Sequence, residues 1–366
     1  MQRTPQPPRC NFHLLLVPLL LLLLNPALGM AQRSDKIEIL REIDLPLRIR
    51  EVFDVRWAEY DSVFLGSAKR GCILFGFDSK EGEPQVIIPP GAGSSNWGYS
   101  LLGLSPDYFV AGASAYFIIW QDRHQGAIQS EYFEVVGDLD VLGDRVGVVG
   151  ARKDDKQRFS PDGAIAWIGS LRRKLDDLKP VYFSRAGPGA RSMDACGPFG
   201  LAKIRFLQNG SLLLLPGVEP GVFLYNAVGE LEHTWQSNEL GIDAECELSD
   251  EEMYHLSSNL EARAAWINSR RTVDEVLPLH GVPGLIIRRT SEMTTHWQLK
   301  MLGPDGDVAV HELPFVGPSP HWHLRADIQP ERIVFLLVEY DLKSTSPSRL
   351  IVTSVPSKDR KADGES

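Results

Sequence analysis

A chain of 366 residues with 43% hydrophobic and 23% charged residues has the composition of a globular protein. Its formal charge is −10, and no basic stripe with interleaved aromatics runs through it, so a nucleic-acid role is excluded and the acidic balance reads as solubility. The 32 Gly and 25 Pro are scattered between apolar runs, which suits many short strands and turns.

The first 31 residues read as a signal peptide. Arg3 and Arg9 form a positive n-region, and Leu14–Leu24 is an apolar run interrupted only by Pro18. Ala27-Leu28-Gly29 or Gly29-Met30-Ala31 places small residues at −3 and −1 for cleavage. The run is shorter than the ~20 residues of a membrane span. The expectation is an exported protein, periplasmic or extracellular, with no membrane span after cleavage; an uncleaved anchor is the alternative. Cys72, Cys196 and Cys246 then remain, too few for a disulfide framework. A Cys196–Cys246 bridge and three small buried hydrophobes are the two readings.

From there the chain is a succession of strand runs. Lys36–Leu45 is a lone alternating strand. Val52–Ala58, Ser62–Ser67, Cys72–Phe77 and Gln85–Ile88 form a first four-stranded unit. Tyr99–Leu104, Tyr108–Gly112, Tyr116–Gln121 and Ile128–Val135 form a second. Leu139–Leu142, Arg145–Gly150, Ile165–Gly169 and Pro180–Ser184 make a third, with a long charged loop from Arg152 to Gly163. The fourth is the clearest: Ala202–Leu207, the turn pair Asn209-Gly210, Ser211–Leu215, Val222–Tyr225 and Leu231–Trp235. One such sheet has two apolar faces and must stack on copies of itself. The third turns of the first two units, at Gly82 and Gly126, lie 44 residues apart, the spacing of a propeller blade.

Ser249-Asp250-Glu251-Glu252 is a capping box that opens a helical insert over about 249–271. A fifth unit follows with Val273–Leu277, Gly284–Arg288, Trp297–Met301 and Val308–Leu313. A sixth has only Leu324–Ile328, Ile333–Glu339 and Leu350–Val355 before a charged tail, 357–366, expected to be disordered. The lone strand at 36–45 supplies the missing fourth member and closes the ring, which leaves no large unpaired face between first and last units. The expected fold is thus all-β, a six-bladed β-propeller spanning 32–356, with seven blades as the rival count. The layout resembles the six-bladed β-propellers of exported bacterial proteins, in architecture and without a signature motif. That family holds binding modules, scaffolds, lyases and hydrolases, so the resemblance implies the fold and leaves the function open.

His321-Trp322-His323 is the most metal-like feature. Strand alternation puts both imidazoles on one face of an inner strand, where zinc or another divalent metal would need at least a third ligand, such as Asp54 or Asp138. Asp138, Asp140 and Asp144 lack the spacing of a calcium loop. No Gly-x-Ser-x-Gly elbow and no phosphate-binding loop is present. Trp120, Trp167 and Trp297 fall on third strands and read as packing between blades; Trp57 and Trp97 are placed to face the channel, and Trp266 to dock the insert. Asn209-Gly210-Ser211 is both a hairpin turn and a glycosylation acceptor. Two functions follow. The first is a non-catalytic, monomeric binding module without a cofactor, meeting a protein or small ligand on the loop face through Arg70, Trp97, Asp154, Asp155 and Trp322. The second is a metal-assisted hydrolase or lyase at the channel mouth, using His321 and His323.

Overall fold

The computed structural model describes residues 36–46, 52–59, 61–67, 70–78, 85–88, 101–105, 107–113, 116–121, 124–128, 133–152, 164–173, 177–183, 202–216, 221–243, 249–279, 281–291, 293–303, 306, 308–339 and 346–356. The expected leader and tail, Trp97, Asp154, Asp155, Cys196 and Cys246 lie outside them, as do the side chains of Trp120 and Ile88.

The chain is all-β, a propeller-like arrangement of four-stranded antiparallel blades with few helices. The strands in chain order are β1 (Ile39–Asp44), β2 (Val52–Glu59), β3 (Ser62–Ser67), β4 (Gly71–Gly76), β5 (Gln85–Ile88), β6 (Leu101–Leu104), β7 (Tyr108–Ala113), β8 (Tyr116–Gln121), β9 (His124–Ile128), β10 (Phe133–Leu142), β11 (Arg145–Arg152) and β12 (Ala164–Ser170). They continue as β13 (Lys179–Phe183), β14 (Lys203–Phe206), β15 (Leu212–Leu215), β16 (Val222–Tyr225), β17 (Leu231–Trp235), β18 (Thr272–Leu279), β19 (Val282–Thr290), β20 (Thr295–Leu302), β21 (Val308–Gly317), β22 (Trp322–Gln329), β23 (Arg332–Glu339) and β24 (Arg349–Ser354). Among the described residues they form six sheets, β2–β5, β6–β9, β10–β13, β14–β17, β18–β21 and β22–β24 with β1. The first strands β2, β6, β10, β14, β18 and β22 each touch the next, and β22 touches β2.

β1 sits outside β24, with Ile43 opposite Leu350 and Ile39 opposite Thr353. Its own face is mostly exposed, but Ile37 before it and Leu45 after it are buried in different cores. Ile37 packs with Trp297, Trp322 and Phe335; Leu45 packs with Val52, Leu65 and Leu336. One short strand therefore pins two blade interfaces.

Strand bounds depart from the sequence expectation at the end of the fifth unit, where β21 runs on past Leu313 to Gly317, and most of all between the second and third units. The fourth strand of the second sheet is β9 at His124–Ile128, not 128–135, and the residues from Phe133 belong to β10, a strand of ten residues rather than four. Register shifts between Phe133 and Val135 and between Val136 and Asp138 break its alternation, so the run has no single period to read. The close approach of β6 to β10 is set by Gly103. A Cβ there would come within 2.6 Å of Val141 Cγ2 and 2.7 Å of Leu139 Cδ1, so only glycine lets these inner strands pack directly.

The insert is helical as the capping box requires. After the short helix α1 (Ser237–Leu240) come α2 (Asp250–Ser258) and α3 (Leu260–Asn268). The Ser249 hydroxyl accepts from the Glu252 amide, and the Glu252 carboxylate accepts from the Ser249 amide at 2.8 Å. At the neck, the Asp243 amide donates to the Arg271 carbonyl at 2.8 Å and the Arg271 amide donates to Asp243 Oδ2 at 2.9 Å. The insert thus leaves and rejoins the ring at one point, in the connection from β17 to β18.

Candidate functional site

The first strand of each sheet has one edge without a ladder partner, and its free amides need acceptors. At four of the six junctions, aspartates of the preceding sheet supply them. Asp54 Oδ2 accepts from the Leu102 amide at 2.8 Å, Asp138 Oδ2 from Ile204 at 2.9 Å, and Asp140 Oδ2 from Phe206 at 2.7 Å. Asp274 Oδ2 accepts from Leu324 at 3.1 Å, and Asp327 Oδ2 from Trp57 at 2.7 Å. Each is a charged acceptor on a neutral donor, worth about 1.5–3 kcal/mol where ionised. The described contacts at the other two junctions are the close approach of Gly103 to Val141 and Leu139 between β6 and β10, and the Arg205–Glu275 pair between β14 and β18.

Three arginines complete this girdle. Arg56 Nε donates to the Leu102 carbonyl at 2.9 Å. Arg205 donates to Asp138 Oδ2 and Glu275 Oε1, both at 2.7 Å, and so ties β10, β14 and β18. Arg325 donates to the carbonyls of Phe53 at 3.3 Å and Asp274 at 3.2 Å, tying β22 to both neighbours. Arg56, Lys203, Arg205 and Glu275 are all buried. Burial works against Asp138 ionising, but Arg205 and then Lys203 hold its pKa below the ordinary value. For Asp140 burial outweighs the pull of Arg205 and pushes it up to about 6. Burial likewise raises Asp54 against the pull of Arg56. Lys203 is lowered to about 8, first by burial and then by Arg325.

At the end where the chain enters β18 and β22, the insert meets this girdle. Asn268, the last residue of α3, is buried; its Nδ2 lies 3.1 Å from His321 Nδ1, and its Oδ1 accepts from Arg288 Nη1 at 2.7 Å. Arg288 Nη1 also lies 3.2 Å from His323 Nε2, and His323 Nδ1 lies 3.6 Å from Asp274 Oδ1. A guanidinium can only donate, so His323 accepts at Nε2 and carries its proton at Nδ1, toward Asp274. Burial and the adjacent Arg288 lower its pKa to about 4, against the opposing pull of Asp274. Asp274 is held at about 2: burial opposes ionisation, but Arg288, then His323 and the Trp297 indole, outweigh it.

His321 stands just before β22 and His323 within it, the first against Asn268 and the second against Arg288. Asp274 is the carboxylate that His323 meets, while His321 meets Asn268; Asp54 and Asp138 are held by the amides of Leu102 and Ile204. The lone pair a metal would use on His323 faces Arg288, and no group of three or more His, Cys, Asp or Glu suited to a metal ion occurs among the described residues. Arg70 is half-buried at the turn between β3 and β4, its amide donating to Ser67 Oγ at 3.2 Å. Trp322 is a correction: it is 2% exposed, packed in the core with Trp297 and Leu324, and out of reach of a ligand on the loop face. Trp57 is also buried, with its indole donating to the Asp327 carbonyl at 3.2 Å.

No family model matches the chain, and no curated protein matches it. Solved structures do. A protein of unknown function from Dyadobacter fermentans is 9% identical, with a TM-score of 0.50 over 87% of this chain and 99% of that one. A streptogramin B lyase is 8% identical, with a TM-score of 0.46 over 86% and 97%. A calcium-binding regucalcin from Agrobacterium tumefaciens is 9% identical, with a TM-score of 0.48 over 86% and 95%. The likeness is one of fold alone.

The girdle residues Arg56, Lys203, Arg205, Glu275, Arg288, Arg325 and Asp327 escaped sequence reasoning. Their signal was present: Asp54 with Arg56, Lys203 with Arg205, and Arg325 with Asp327 stand two apart in otherwise apolar first strands. Period two places each pair on one side of the strand.

Proposed function

We propose that this chain is an exported, monomeric binding module, with six blades closed into one ring and a partner-binding face on the side that carries the helical insert. The observation that supports it is that residues at the channel mouth are engaged with one another. His323, Asp274, Arg288 and Asn268 bond to one another and fasten the insert to the rim. The insert projects from the same side as the turn bearing Arg70, because chain entries into first strands and the turns between second and third strands share one face of an antiparallel meander. Loops and inserts on a rigid scaffold are where specificity is placed. Trp97, Asp154 and Asp155 belong to this proposed face, with a protein or small ligand as its occupant and no cofactor required.

The test is excision. A chain with 249–266 replaced by a short Gly/Ser linker keeps the Asp243–Arg271 neck and the Asn268 clamp. It is expected to fold and to lose the interactions of the intact protein, read by cross-linking in the medium of the secreting cell. Interactions unchanged by the excision would refute the binding face. Export is tested by mass spectrometry, with a mature N-terminus expected at Met30 or Gln32.

The alternative is a metal-assisted hydrolase or lyase at His321 and His323. It requires Arg288 to leave His323 Nε2. Calorimetric titration with zinc is expected to show no stoichiometric uptake; uptake that disappears when both histidines are replaced by Ala would favour the alternative.

A further inference from the structure

Asn209 lies on the opposite side of the ring from the insert, in the turn joining β14 to β15. The turn is rigid. The Leu207 amide donates to the Ser211 carbonyl at 2.8 Å, and the Gly210 amide donates to the Leu207 carbonyl at 2.9 Å. Gly210 has φ +86, and a Cβ there would lie 3.2 Å from Arg145 Nη1. Arg145 Nη1 in turn donates to the Gly210 carbonyl at 2.8 Å and stacks over Phe206 at 4.8 Å. Within this frame Asn209 is exposed while its neighbours Gly210 and Ser211 are buried. Its Oδ1 accepts from the Ser211 amide at 3.0 Å. That contact fixes the amide so that Nδ2 is the group left to solvent.

Asn209-Gly210-Ser211 is the one Asn-x-Ser/Thr triplet in the 366 residues that has no Pro in the middle. The hairpin explains Asn-Gly but does not require Ser at 211. We propose that Asn209 is an N-glycosylation site. The sugar C1 of a lipid-linked oligosaccharide diphosphate forms a bond to Asn209 Nδ2; the C1–O bond breaks, the diphosphate leaves with the electron pair, and Nδ2 loses one proton. The product keeps Oδ1 as a carbonyl acceptor, so the Ser211 contact and the turn survive modification. Placed on the hairpin-turn side, the glycan covers the face away from the insert and leaves the proposed binding face open.

This inference rests on the exported reading, and the experiment separates the two. The full chain with its own leader, and residues 32–366 behind an independently functional secretory leader, are produced in a host with an oligosaccharyltransferase. Peptide mapping of the recovered protein reads Asn209 directly, before and after an amidase that releases the glycan and leaves Asp at that position. The expected result is a glycan on Asn209 in both products, lost in Ser211→Ala and kept in Ser211→Thr. Unmodified Asn209 in protein secreted behind the substituted leader overturns the glycosylation site. Modification there, with the native-leader product intracellular and bare, supports the acceptor and refutes export.

Discussion

Arg205 carries the largest single electrostatic responsibility in the ring. It is buried between Asp138 and Glu275, and its guanidinium bridges three successive first strands. Replacing it with Met leaves two buried carboxylates without their cation, and the expected loss is about 3–5 kcal/mol, read from denaturant midpoints at constant m-value. A midpoint shifted by less than a third of that would mean the pair is dispensable. Gly103 makes the complementary steric point. Gly103→Ala drives a methyl into Val141 and Leu139, and overpacking of that kind costs about 1–3 kcal/mol. Titration gives a third test. His323 has a folded pKa of about 4 against 6.5 unfolded, so the unfolded chain binds more protons in that window and stability falls as pH drops through it. Asp140 has the opposite sign: its folded pKa of about 6 exceeds the ordinary 3.8, so stability falls as pH rises from 3.8 to 6. His323→Gln is expected to remove the first slope and Asp140→Asn the second, measured by unfolding at fixed ionic strength between pH 4 and 7. Parallel pH profiles for wild type and His323→Gln would contradict the neutral clamp.

Among the elements, those with a local cause were legible in sequence. The Asn209-Gly210 turn, the Asn226–Gly229 turn with its positive-φ glycine and the Ser249 capping box stand where their residues require. The first part of β21 also stands where expected, with Val310 and Glu312 exposed and His311 and Leu313 buried, but the strand continues past the expected end at Leu313 through buried Phe315. Pro314 fits there because the pairing of β20 with β21 skips from Val316 to Glu312, so no ladder donor is needed. What was not legible was set by distant partners. β10 is long because its upper half packs on β14 through Asp138 and Asp140, while bulges hide its period. Strand alternation pairs His321 with His323, but their partners Asn268 and Arg288 come from the end of a helix and from a second strand. No spacing within one segment encodes such a meeting. The insert itself is expected to be separable: the excised ring should melt within a few degrees of the intact chain, because the Asp243–Arg271 neck closes without it. Failure of that variant to fold would show that α2 and α3 support the ring.

At the scale of the whole molecule, a rigid ring depends on closure. A propeller-like ring holds its faces rigid only if first and last sheets are fastened, and here a strand from the start of the chain completes the sheet made by its end. Ile37 and Leu45 flank that strand and fill two different interfaces, so losing it opens both. Either residue replaced by Ala is expected to cost about 2–5 kcal/mol, as for other buried aliphatic truncations. The most direct measurement compares two truncations by calorimetry: a chain beginning at residue 46 and one ending at residue 356. The first is expected to unfold at a markedly lower temperature and with a broadened transition, and the second to melt as the intact protein does. Equal melting of the two would contradict closure by the first strand, and with it the rigid face on which the proposed binding site stands.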